Sequence, residues 1–244
     1  MKSVRSMTKF DPSNPKEFAR EILVETLGFR ECKPETLDSL VACGTMLRLG
    51  KGEALVLRGQ PFDALCLVVQ GSLETRILNP DGHRQLISFM QPGDVVGIIS
   101  MLDGLGHVHD LIARGANTLV LRMPGSAVRE LRQSDAGLGR AFELQLAFRS
   151  RLLHERLAAA SGMPIEARVA RLLIALSSLY GEQRPGGLVL KIKISQEDLG
   201  DWLGVSRQGI NTVLKSLTAK ALLRVSYSRL TIVDLDGLRT AALI

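Results

Sequence analysis

The sequence has three cysteines, Cys32, Cys43 and Cys66, each far from the others. No disulfide framework and no Cys-x-x-Cys metal site can be drawn from such spacing, and a reducing cytoplasm fits it best. Long apolar runs are also missing, since no stretch reaches the roughly 18 apolar residues of a membrane span. The N-terminal M-K-S-V-R-S-M-T-K-F carries charges but no apolar core, which predicts no signal peptide. Residues 135–160 lack proline and hold only two early glycines, so nothing there interrupts a helix. These absences point to an intracellular protein of bacterial type with no membrane partner.

What is present favours an anionic partner. The chain has 244 residues, enough for about two domains, and 31 Lys and Arg against 25 Asp and Glu, a net charge of +6. Residues 163–244 hold 11 Lys and Arg against 7 Asp and Glu, so most of the excess lies in the last third. That supports nucleic-acid binding.

Residues 195–220, S-Q-E-D-L-G-D-W-L-G-V-S-R-Q-G-I-N-T-V-L-K-S-L-T-A-K, predict two short helices around a tight turn. Ser195 with Asp198 three residues on is a capping box with Asp in place of the usual Glu or Gln, and it predicts a helix over 196–203 that ends at Gly204. Ser206 caps the second helix. Ile210, Val213, Leu214 and Leu217 share one face of it, to be buried against Leu199, Leu203 and Val205. The other face carries Arg207, Gln208, Asn211, Thr212 and Lys215. Arginine pairs with guanine and Gln or Asn with adenine through two hydrogen bonds each, so Arg207 and Gln208 are the first candidates for base contact and Asn211 the next. Ser206, Lys215 and the N-terminal amides suit phosphate, and Ser195 is counted with them among the DNA-binding residues. Residues 222–233, L-L-R-V-S-Y-S-R-L-T-I-V, predict a hairpin wing whose Arg224 or Arg229 reaches phosphate.

Upstream, residues 1–16 read as a loose arm with Pro12 and Pro15. Helical spacing follows over 17–27 and 34–42. From Thr45 the texture becomes short apolar runs punctuated by glycine about every ten residues, which predicts an antiparallel barrel or roll, with Asp81-Gly82 as its clearest hairpin turn. Residues 97–109, G-I-I-S-M-L-D-G-L-G-H-V-H, break the strand pattern and are the expected ligand-facing segment: Gly97, Ile98, Ile99, Ser100, His107, His109 and Asp110 form the candidate effector pocket. Leu138, Phe142, Leu146, Leu153 and Leu157 recur along the long helix, with Leu144, Phe148 and Leu152 widening the stripe. Such a helix packs on its own domain on one side and on a second chain on the other. The expected division is an arm over 1–16, a roll over 17–134, a dimerisation helix over 135–161 and a winged helix-turn-helix over 162–244, in the α+β class.

This order of parts, with V-S-R-Q-G-I-N-T-V-L-K-S-L, Gly71 and P-G-D-V-V-G at 92–97, resembles the transcription regulators grouped around the cyclic-AMP receptor protein and the fumarate and nitrate reduction regulator (the Crp/Fnr family), over about residues 18–236. The resemblance implies a cyclic-nucleotide-binding-like β-roll with a double-stranded helix of strands and a non-enzymatic homodimer joined along the long helix. It also implies contact with RNA polymerase and a near-palindromic operator with half-sites roughly 34 Å apart. The family's reading helix runs S-R-E-x-x-x-R; here Gln208 stands at the Glu and Thr212 at the second Arg, so a different target sequence is expected. Members that bind cyclic AMP carry G-E-L and, about ten residues on, Arg-Ser; this chain has Gly97-Ile98-Ile99 and His107-Val108-His109-Asp110. Without those charge-assisted bonds cyclic AMP should not bind tightly. The clustered N-terminal cysteines of iron-sulfur sensors are absent, so no such cluster is expected.

Two other readings remain. If His107 and His109 alternate on a strand, both imidazoles point one way and could hold a metal or haem, as in a cupin-like enzyme. The Glu that a cupin site adds is missing, haem is not expected, and loop histidines without a ligand are the plainer reading. Alternatively, the roll is a protein-interaction module and the regulator needs no ligand.

Overall fold

Continuous apolar sequence, as in Ala64-Leu65-Cys66-Leu67-Val68-Val69, is what a strand needs when both its faces are covered. A computed structural model of the chain describes residues 14–78, 84–160, 162–190, 194–226 and 229–243, and in it that run is a fully buried strand. The chain divides between Ser150 and Arg151 into two compact units.

The first unit begins with α1 (Pro15–Glu25). The arm expected over 1–16 thus gives way to helix at Pro15, because Asn14 accepts from the Glu17 amide and proline at the first helical position gives up only an N–H that has no partner there. A short 3₁₀ turn (Phe29–Glu31) leads to α2 (Pro34–Cys43). Eight strands follow: β1 (Thr45–Leu49), β2 (Ala54–Val56), β3 (Ala64–Gln70), β4 (Leu73–Leu78), β5 (Arg84–Met90), β6 (Val95–Val96), β7 (Asp110–Ala113) and β8 (Thr118–Pro124), with α3 (Ile98–Asp103) between β6 and β7. They form two antiparallel sheets, β1-β8-β3-β6 and β2-β7-β4-β5, the alternation of a jelly roll. The Asp81-Gly82 turn expected between β4 and β5 lies outside the described residues, although the two strands pair in antiparallel register from Leu73 opposite Met90 to Leu78 opposite Arg84.

Alternate residues separate two cores. Cys66, Val68, Val120, Leu73 and Leu111 meet between the sheets. Leu65, Leu67, Leu119 and Leu121 turn outward to a second core with Ile22, Leu23, Phe29, Leu40 and Val128 from the surrounding helices. The unit closes with α4 (Gly125–Ser134) and enters α5 (Ala136–Ala160).

The second unit contains α6 (Ile165–Tyr180), α7 (Gln196–Leu203), α8 (Arg207–Ala219) and α9 (Leu235–Ala241). A four-stranded antiparallel sheet runs β11 (Leu223–Ser226), β12 (Arg229–Ile232), β10 (Gly187–Leu190) and β9 (Gly181–Arg184). The sequence predicts α7, α8 and the wing but neither β9 nor α9. β9 is a polar Gly-Glu-Gln-Arg edge with no apolar alternation, and α9 is a seven-residue helix anchored by Asp234, which accepts from the Gly237 amide, and by buried Leu238.

Candidate nucleic-acid interface

The helix pair is built from its caps. Ser195 Oγ accepts from the Asp198 amide at 3.0 Å while the Asp198 carboxylate accepts from the Ser195 amide at 2.9 Å, the reciprocal box expected from the sequence. Ser206 Oγ accepts from the Gly209 amide and starts α8. The turn between the helices is tight: the Val205 amide donates to the Gly200 carbonyl at 2.9 Å, and a Cβ at Gly200 would stand 2.5 Å from the Val205 carbonyl oxygen. Gly200 is therefore part of the element, and its sequence signal is a glycine inside the first helix of the pair. Ile210, Leu214 and Leu217 are buried on one face of α8, as expected.

The opposite face of α8 is open. Arg207, Gln208, Thr212 and Lys215 are exposed, and Arg207 and Lys215 form no ion pair with a described residue. Thr212 donates its hydroxyl to the Gln208 carbonyl at 3.1 Å, which turns the group back into its own helix and leaves the methyl as its outward feature. Asn211 is half-buried, and its side-chain oxygen accepts from Gln196 Nε2 at 3.3 Å. Adenine recognition by Asn211 would need that oxygen turned to the base instead of toward α7. Gln196, which opens α7, escaped sequence reasoning because its partner lies fifteen residues away. On the wing, Arg224 and Arg229 are exposed, while its tip at 227–228 lies outside the described residues. A cleft of about 340 Å³ opens beside this surface, with Ser195, Gln196 and Arg207 among its lining residues and Leu199, Leu214 and Leu230 at its apolar wall.

The seven candidate effector residues in the roll separate. Gly97 opens α3 in the left-handed region with φ +95°, and Ile98 is buried in the helix-covered core instead of between the sheets. Ile99 is exposed. Ser100 is buried, and its Oγ, like Thr75 Oγ1, has no hydrogen-bond partner among the described residues. His107 is buried edge-on to Phe62 with ring centroids 5.2 Å apart, and its Nδ1 lies 2.6 Å from the His109 carbonyl oxygen. Burial pushes its imidazole below the ordinary histidine range. Residues 107–109 are not on a strand, which corrects the alternation on which a shared histidine face rested: the His107 ring folds onto its own turn. Among the described residues no group of three or more His, Cys, Asp and Glu is placed to hold a metal. Asp110 is occupied elsewhere, accepting from the Arg58 amide at 2.8 Å and lying 3.7 Å from Arg76 Nε. Arg76 and Arg84 both bind the buried Glu74.

The long-helix stripe also has two uses. Leu138 and Phe142 are buried in their own unit, where Phe142 meets Phe29 at 6.5 Å between centroids. That removes them from any contact with a second chain. Leu146 is partly buried against the same core, Leu153 is 53% exposed, and the side chain of Leu157 lies outside the described residues.

A capped helix pair with a polar, cation-bearing outer face, flanked by a wing and preceded by a jelly roll, defines a DNA-binding regulator with an appended sensor-type domain. Residues 46–135 match the cyclic nucleotide-binding domain family and residues 167–241 the Crp-like helix-turn-helix domain family. The chain is 26% identical over 206 residues to the transcriptional regulatory protein btr of Bordetella pertussis, covering 84% of this chain and 83% of that protein. It is 24% identical over 222 residues to a CRP-like cAMP-activated global transcriptional regulator of Mycobacterium tuberculosis, covering 91% and 99%. The solved structure of FixK2 from Bradyrhizobium japonicum superposes with a TM-score of 0.71 at 21% identity, over 81% of this chain and 96% of that one. The chain belongs to the Crp/Fnr-type transcription regulators. No helix among the described residues is long and apolar enough to cross a membrane.

Proposed function

We propose that this regulator acts in the bacterial cytoplasm as a non-enzymatic homodimer that reads a near-palindromic duplex with two copies of α8 and engages RNA polymerase from the bound site. The observation that carries the reading is the contrast between the two faces of α8: Ile210, Leu214 and Leu217 are buried, while Arg207, Gln208 and Lys215 stand exposed in its first turns and middle. The N-terminus of α8 and these cations suit phosphate and base edges in the major groove. The dimer contact is assigned to α5 from Leu146 onward, where the apolar stripe continues past the part buried at home and Leu153 is left open.

The roll is assigned to an effector other than cyclic AMP. Ile98 supplies no acceptor for a ribose hydroxyl, and residues 107–110 bring two histidines and an aspartate where a cyclic phosphate would require a cation. Selection from random duplex DNA, paired with sedimentation of the free protein and calorimetry with cyclic AMP, tests the whole reading. An enriched inverted repeat, a dimer in solution and no cyclic-AMP heat are expected. A strictly monomeric protein that enriches no sequence at low salt would overturn it.

A further inference from the structure

The surface that reads DNA contains a side-chain pair with a direction built into it. Gln196, the first residue of α7, donates from Nε2 to Asn211 Oδ1 at 3.3 Å, and Asn211 lies one turn into α8 between exposed Gln208 and Lys215. A free asparagine offers a base one acceptor and one donor group, the pattern that matches adenine N6 and N7. The bond from Gln196 takes one of the two lone pairs of Oδ1 and turns that oxygen toward α7, so the opposite end of the planar amide, Nδ2 with its two N–H bonds, is the end left to a base. The neighbouring Thr212 offers no competing donor, because its hydroxyl donates to the Gln208 carbonyl.

We propose that Gln196 is a specificity-determining residue: by turning the carbonyl end of Asn211 toward α7 it makes this position of the reading helix face the groove with its N–H donors, which favours guanine, with acceptors at O6 and N7, over adenine, whose N6 is a donor. The inference rests on α8 being the DNA-reading helix and adds to that the polarity of one of its contacts. Gln196 acts through Asn211 and is in this sense a positioning residue.

The experiment is selection from random duplex DNA with the full-length protein and three variants. Asn211→Ala locates the base pair concerned, as the one whose preference it flattens. At that base pair the unaltered protein is expected to enrich guanine over adenine by about fivefold or more, the lower end of what one good base contact discriminates. Gln196→Ala lets the amide turn its oxygen to the base, and the preference there should move toward adenine while other positions hold. Gln196→Glu gives the sharper outcome. A carboxylate cannot donate, so it accepts from Asn211 Nδ2 and turns the oxygen outward, reversing the preference to cytosine or adenine, which carry amino donors. Glutamate in the first turn of a helix is favoured by the helix dipole, so this variant should keep the fold, and circular dichroism melting checks it.

Adenine enriched by the unaltered protein, or base profiles unchanged in both Gln196 variants, would overturn the assignment while leaving α8 as the reading helix. A protein that enriches no sequence at all would overturn both.

Discussion

Ser195 and Asp198 close the first turn of α7 on each other, hydroxyl to amide at 3.0 Å and amide to carboxylate at 2.9 Å. Each side chain satisfies an amide that the helix start leaves without a partner, and Asp198 does so while buried. Ser195→Ala should therefore lower the stability of the second unit by about 1 kcal/mol, read from urea unfolding. Ser195→Asp, which keeps an acceptor at the cap, should recover most of it. If Ser195→Ala melts like the unaltered protein, the box contributes nothing to this helix.

The two cations of α8 should fail differently when removed. Arg207→Ala is expected to lower affinity for the best selected site by about 1 to 3 kcal/mol and to leave binding to random duplex nearly intact, because a base contact discriminates between sequences. Lys215→Ala should weaken both alike and flatten the dependence of affinity on salt, as loss of one phosphate contact does. Binding titrations at several salt concentrations separate the outcomes. Full affinity of Arg207→Ala for the selected site would remove that residue from base reading.

The helix pair was legible in the sequence because its determinants are local: two serine caps, an apolar face at helical spacing and a glycine stop all lie within 25 residues. The roll was legible as glycine-punctuated strands, and its long run at Ala64–Gln70 makes sense once both faces of β3 are covered. What escaped depends on partners distant in sequence. Leu138 and Phe142 show the same periodicity whether they pack in their own unit or on another chain, and only the fold places them in the core that contains Phe29. Ile98 likewise reads as a member of the effector pocket until the turn at Gly97 sends it into the helix-covered core. Gln196 carries no motif; its meaning comes from where Asn211 stands.

An acid-sensitive tie joins α6 to α8. Glu166 lies 2.5 Å from Lys220 Nζ and accepts from Ser216 Oγ at 2.9 Å. The Lys220 hydrogen bond holds its carboxyl below the ordinary glutamate range, with burial opposing and Ser216 assisting. A depressed carboxylate adds stability that is fully present above its unfolded value and is lost as pH falls through the folded one. Lys220 is half exposed, so the effect is small. Glu166→Gln should cost about 0.5 kcal/mol at neutral pH, and the gap to the unaltered protein should close as pH falls below the glutamate range. A gap that persists unchanged into strong acid would assign the loss to packing instead of charge.

The three thiols should react in a fixed order. Burial pushes Cys66 up to about 12 and Cys32 up to about 11, with Asp135 and Glu31 adding to the second. Cys43 is also raised, but it is only half-buried. Thiolate is the reactive form, so at pH 8 a thiol reagent should titrate Cys43 first, with the other two following only on unfolding. Cys43→Ser should abolish the early phase. Early labelling that survives in Cys43→Ser would show that the roll opens readily enough to expose Cys66 or Cys32.

The entry to α3 fixes where the P-G-D-V-V-G turn delivers the chain, and Gly97 is the residue that permits it. Its φ is +95°, and a Cβ there would stand 2.1 Å from the Ala64 carbonyl oxygen on β3 and 2.9 Å from the Phe62 ring. Gly104, at the other end of the same helix, has φ +71° but open space around its Cβ position. Alanine at Gly104 should cost only the backbone penalty, about 1 to 2 kcal/mol. Alanine at Gly97 meets that penalty together with a clash against backbone that cannot rotate away, so β3 or α3 must move. Calorimetric melting of the two variants side by side isolates the clash: Gly97→Ala should be the less stable by a clear margin, with the loss confined to the roll. Equal melting would mean that α3 does not lean on β3 at Ala64 as closely as the structure has it.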